Sequence, residues 1–282
     1  MKQFKALLLK EFRSHRFVFL LPAFFLAGTY ALFLISAIIG WIKMGNLSGV
    51  MEIKQMSPDE HAIIVWAANY ISAMIMGWVT VIAGAGLVDH LLNNDYVKKC
   101  EIFHLSQPVS LKKIMGAKLS IVFGGELLLV LILVLVNSLV LGILFSILGV
   151  QSGFSGIVPA IQAFMATAIT YISLLAVLWF FASLFRKNSG YYTILIIAGI
   201  NIALEILKYF TGWDIYSPMD FITSSISNPI GLQMSNITKG MVPTLRPQAW
   251  AGIFNLDTLY HLLASAALIV LGYIAYHRRE VK

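Results

Sequence analysis

Residues 119–149 read LSIVFGGELLLVLILVLVNSLVLGILFSILG, 31 positions with one charge, Glu126. A hydrocarbon core about 30 Å thick is crossed by about 20 apolar helical residues rising 1.5 Å each, so this run predicts a membrane-spanning helix. Lipid offers backbone groups no hydrogen-bonding partner, and the run does not alternate as a barrel strand does, which favours a helix. Five further runs share the pattern: Phe17 to Ile42, Ala62 to Val88, Ile157 to Phe185, Tyr191 to Phe210 and Thr258 to Tyr276. The six hold 152 of the 282 residues but only three of the 33 acidic and basic ones, Glu126, Glu205 and Lys208. The expected fold is an all-α membrane protein, a single domain of six transmembrane helices over residues 1–282.

Composition supports this expectation. Apolar residues make up 59% and charged residues 12%, which excludes a soluble globular domain and a disordered chain. Cys100 is the only cysteine, so no internal disulfide framework exists. The net charge of +7 is scattered between apolar runs and builds no face for nucleic acid. It is better read as topology. The N-terminal segment, second and fourth loops and C-terminal tail hold 15 of the 20 lysines and arginines. The odd-numbered loops, with Lys208 at the end of the fifth run, hold 5. By the positive-inside rule both termini are expected in the cytoplasm. The first run is too long for a secretory signal core and has no small-residue cleavage site, so it is expected to stay as the first span.

Residues 1–16 precede that span. On a helical wheel Phe4, Leu7, Leu8 and Phe12 share an arc with Glu11, while Lys2, Lys5, Arg13 and Arg16 point the other way. This is the pattern of an interfacial helix with its apolar side in the acyl boundary and its basic side toward anionic lipid. The second loop, residues 89–118, is expected on the same side. Lys98 to Ser106 can form two to three helical turns, Pro108 ends them, and Ser110 can cap the helix that becomes the third span. A short helix joined rigidly to two spans transmits a push to both.

The acidic, polar end of the second span, the short charged helix, Ser106-Gln-Pro-Val-Ser110, Ile114 and Gly116-Ala-Lys118 together resemble the signature of permease subunits of type-2 ATP-binding-cassette exporters. The opening Leu9-Lys-Glu-Phe-Arg13 is similar to that family's elbow helix. Asp95-Tyr-Val-Lys-Lys-Cys-Glu101 stands where the family usually has a Glu-x-x-x-Gly-Thr lead-in. The resemblance implies a permease of a bacterial cell membrane, multi-pass, paired with a second permease as a homo- or heterodimer and driven by two ATPase subunits. Lys98, Lys99, Glu101, Ile102, Phe103, Leu105 and Gln107 would form the coupling helix seated on the ATPase, with Glu11 contributing nearby. ATP and magnesium would be bound by that partner. This chain has no Gly-x-x-x-x-Gly-Lys-Ser/Thr phosphate loop and no cofactor motif of its own.

The fifth loop, residues 211–257, is too polar to span and too apolar for a free linker, which predicts an ordered cap or re-entrant segment at the outer mouth. Glu126 lies roughly 12 Å beyond Lys118 along the helix. An ionisable group at that depth faces protein or water, as a substrate-path residue or a packing hydrogen bond. Glu205 is a second candidate for the path, although its spacing of three from Lys208 also suits a structural pair. The six histidines show no metal-ligand spacing. Two other classes remain open: a membrane-embedded enzyme using Glu126 or the Asp89 and Asp95 region, and an anchoring or mechanical subunit that translocates nothing.

Overall fold

The computed structural model describes residues 2–44, 57–97, 110–150, 153–185, 188–213, 215–226, 250 and 253–280. These residues are helical, with no strand among them. In order they form α1 (Lys2–Phe19), α2 (Leu21–Met44), α3 (Pro58–Val97) and α4 (Leu111–Leu119). A π-helical segment (Ser120–Gly125) leads into α5 (Glu126–Ile147), and a 3₁₀ turn (Gly153–Gly156) into α6 (Ile157–Leu184). Then come α7 (Ser189–Thr211), α8 (residues 218–226) and α9 (Leu256–Glu280). Six helical stretches are long and apolar enough to cross a membrane: Gln3–Ser36, Pro58–Asn93, Leu111–Ile147, Phe154–Leu184, Ser189–Thr211 and Leu256–Arg278. The chain has the architecture of a multi-pass membrane protein.

Helix ends follow local chemistry. Ser57, Pro58 and Glu60 open α3 with a capping box: the Ser57 amide donates to Glu60 Oε2 at 2.7 Å, and the Glu60 amide donates back to Ser57 Oγ at 3.4 Å. At its other end α3 runs past the apolar stretch to Val97, so this helix of 40 residues is longer than hydropathy suggests. Between α1 and α2 the helix is almost continuous. His15 departs from helical geometry (φ −120°, ψ 16°), and Pro22, with no amide hydrogen to donate, sits in the first turn of α2. The Leu20 amide still reaches Arg16 O at 2.9 Å, so the segment before the first span is coupled to it directly.

Two helices, α3 and α6, form the centre. They approach closely because α3 presents glycine where α6 presents bulk: a Cβ on Gly77 would stand 2.5 Å from Thr167 Cβ, and one on Gly84 2.6 Å from a Leu175 methyl. One apolar cluster joins Leu87, Leu91, Met115, Leu175, Trp179 and Tyr276 near the end that carries the N-terminus. A second, around Trp66, Tyr70, Met76, Val134 and Phe164, fills the opposite half. Asn137 ties three spans there: Tyr30 Oη donates to its Oδ1 at 2.7 Å, and its Nδ2 donates to Ser72 Oγ at 2.9 Å.

Within residues 211–257, α8 returns into the bundle. Ser217 and Asp220 cap its first turn, while at its far end Thr170 Oγ1, at the midpoint of α6, donates to Ser225 O at 2.8 Å. Phe221 and Ser225 are buried. This backbone therefore lies beside the middle of a span, where its polar groups must be satisfied by protein.

Candidate functional site

The end of the bundle that carries the N-terminus holds a connected set of polar side chains. Glu11 on α1 is buried, with its carboxylate 3.8 Å from His15 Nε2 and 3.9 Å from Lys10 Nζ. The His15 ring lies 6.1 Å from that of His90 on α3. Next to His90, Asp89 accepts hydrogen bonds from Asn93 Nδ2 at 2.9 Å and from Ser189 Oγ at the start of α7. Lys118 of α4 is fully buried. Its ammonium donates to Leu91 O and lies 6.0 Å from the Tyr276 ring of α9. Lys113 Nζ reaches Gln3 Oε1 at 2.9 Å, closing the set back onto α1.

These bonds surround the two ends of the segment between α3 and α4. Asp89, Leu91 and Asn93 sit one to two turns before Val97, and Lys113 and Lys118 lie within the first helix after Ser110. Lys98, Lys99, Glu101, Ile102, Phe103, Leu105 and Gln107, the expected coupling residues, lie outside the described residues. Their flanks do not: both are tied to α1, and through Ser189 and Tyr276 to α7 and α9.

Glu126 lies deeper, directly after the π-helical segment. A π-turn widens the helix and leaves a carbonyl poorly placed for the regular ladder, and such turns cluster at functional sites. Here the Tyr171 hydroxyl of α6 donates to Val122 O within that turn at 2.7 Å. Glu126 has no exposed surface, and neither of its carboxyl oxygens has a hydrogen-bond partner among the described residues. Val122 stands one helical turn before Glu126, so this bond brings Tyr171 to the same stretch of the bundle. An unpaired carboxylate in a low-dielectric bundle costs several kcal/mol. Glu126 thus has a strong unmet demand for a cationic or hydrogen-bond-donating partner. No group of three or more metal-ligating side chains occurs among the described residues.

No family model, no curated protein and no solved structure matches the chain. Its functional reading therefore rests on its own geometry.

The structure separates the two carboxylates expected on a substrate path. Glu126 is enclosed by the bundle, whereas Glu205 is exposed on α7, as is Lys208 one turn later. Sequence reading missed Lys118 as a buried cross-tie, because a lysine at the foot of a span reads as a topology charge. It missed Gln162 of α6, fully buried with both amide atoms unpartnered among the described residues, since an uncharged amide does not interrupt an apolar run. The contacts of Ser224 and Ser225 with His261 were also missed, because they join residues 36 and 37 apart.

Proposed function

We propose that this chain is the permease subunit of a type-2 ATP-binding-cassette exporter of a bacterial cell membrane. A separate ATPase, present in two copies, drives outward movement of a substrate by pushing on residues 98–109 from the cytoplasm. The observation that carries the reading is the tethering of both flanks of that segment. A push there acts on α3 through Val97 and on α4 through Ser110, and the bonds of Lys113, Lys118 and Asp89 pass it to α1, α9 and α7. That coupling suits rigid-body rocking between two states, in which packed helices move together.

A second permease belongs to the same reading. In the apolar windows of the first and fifth spans only 6% of residues are buried, against 44% and 56% in the second and fourth. Glu205, exposed on the fifth, is too costly to leave facing hydrocarbon and calls for a protein or aqueous neighbour. Pairing through these two spans supplies one.

The test is recovery of an ATPase with the tagged chain from its native membrane. Phe103→Ala and Glu101→Ala are expected to remove the ATPase while leaving the amount of inserted chain unchanged. Retention of the ATPase by the double variant, or no ATPase with the unaltered chain, overturns the proposal.

A further inference from the structure

Two cavities adjoin where α8 enters the bundle, and they share Tyr216 and Tyr260. The larger of the two, about 440 Å³, is walled by Phe180 of α6, Ile197 and Ile200 of α7, and Ala267 and Leu268 of α9, with Phe221 of α8 on one side. The other, about 380 Å³, places Asp257, Ser224 and His261 beside the same two tyrosines. Both volumes fall within the range of small-molecule sites; the larger is lined mainly by apolar side chains and the smaller by Asp257, Ser224, His261 and the two tyrosines.

The polar mouth is built and held in place. Tyr216 Oη and Ser224 Oγ are 2.6 Å apart; Ser224 Oγ is 3.1 Å from His261 Nε2, and Ser225 Oγ is 3.0 Å from His261 Nδ1. The Tyr216 and Tyr260 rings meet edge to face with centroids 6.1 Å apart. Among the described residues, Asp257 is the one acidic side chain lining either cavity. A carboxylate sharing a cavity wall with two phenol rings attracts an ammonium by charge, with the ring quadrupole adding where a ring face meets it, and repels an anionic head. The larger cavity is lined from three of the helices long and apolar enough to span a membrane, α6, α7 and α9, which suits an acyl chain.

We propose that the two adjoining cavities hold one ammonium-headed lipid of the surrounding bilayer, with an acyl chain in the larger, apolar one and the ammonium between Asp257 and the rings of Tyr216 and Tyr260. The site is formed by this chain alone and does not depend on the transport reading.

The test is native mass spectrometry of the purified full chain in detergent, with added palmitoyl-oleoyl phosphatidylethanolamine or phosphatidylglycerol. Phosphatidylethanolamine is expected to be retained about tenfold more than phosphatidylglycerol, the equivalent of one charge-assisted contact of about 1.4 kcal/mol. Asp257→Asn should abolish that preference, and Ala267→Phe, which fills the apolar part, should release both lipids. Thermal melting of each variant reports its folding separately. Equal retention of the two lipids, an unchanged preference in Asp257→Asn, or retention of both lipids by a folded Ala267→Phe overturns the proposal. Displacement of phosphatidylethanolamine by tetramethylammonium at equal concentration also overturns it, by assigning the mouth to a soluble cation.

Discussion

At the scale of single residues, Glu126 sets the sharpest conflict between stability and chemistry. Its carboxyl oxygens meet no partner among the described residues, so the native state bears the cost of a desolvated polar group. Replacing such a group by an apolar side chain of similar volume removes that cost. Glu126→Leu is therefore expected to raise thermal stability in detergent, by about 1–3 kcal/mol. Under the proposed function the same variant is expected to abolish export, since a carboxyl held at such a cost has a use outside packing. A melting temperature that falls in Glu126→Leu would show that the carboxyl is satisfied in the membrane. Tyr171→Phe isolates the neighbouring effect. It leaves Val122 O in the π-turn without its hydroxyl donor and should cost about 1 kcal/mol in the same measurement. Glu126 is legible in the sequence because a charge stands out in an apolar run. Tyr171 is not, because 45 residues separate the two and only the packing of α6 on the π-turn brings them together.

At the scale of elements, the six spans are legible because twenty consecutive apolar residues have few other stable uses in a chain. Their ends and irregularities are not. Polar residues after Val88 remain helical because α3 continues past the apolar stretch, and the π-turn at Ser120–Gly125 contains no proline to announce it. The α8 helix is too short to show a period, and its start went unread in the sequence: Ser217-Pro-Met-Asp220 has a capping serine, a proline at the first helical position and a carboxylate at the third. Asp220 accepts the Ser217 amide at 2.9 Å, and that backbone bond, reinforced by the Ser217 hydroxyl, holds its carboxyl below the usual aspartate value of 3.8. A depressed value in the folded state means that the cap stabilises α8 above the unfolded aspartate value and weakens as pH falls through the folded one. Hydrogen exchange at residues 217–221 is accordingly expected to be slow at neutral pH and to accelerate below about pH 4, measured against amides of α6. Asp220→Asn should remove the pH dependence. The α3–α6 contact makes a separate prediction. Gly77→Ala puts a methyl 2.5 Å from Thr167 Cβ, and overpacking of this kind costs about 1–3 kcal/mol, read as a lowered melting temperature.

At the scale of the whole molecule, the bundle is asymmetric in what it buries. The second and fourth spans form a fixed centre, the first and fifth lie open at the flanks, and the polar ties gather at the end that carries the N-terminus. The proposed two-state transporter would need this division: a rigid body, a surface on which to move, and a point where force enters. The direction of force in the proposed transporter depends on which side of the membrane residues 98–109 face, and the sequence contains its own probe there. Cys100 is the only thiol in the chain, so no cysteine need be removed or added. In intact cells a membrane-impermeant maleimide is expected to leave the chain unlabelled. After permeabilisation, or in inside-out vesicles, the same reagent should label it fully, and Cys100→Ser should abolish the signal under both conditions. The positive-inside count favours this outcome because the lysines flanking Cys100 would have to cross the bilayer for the opposite one. Labelling in intact cells would place the segment on the outer face, where no ATP-driven partner can reach it, and the proposed direction of force would fail with it.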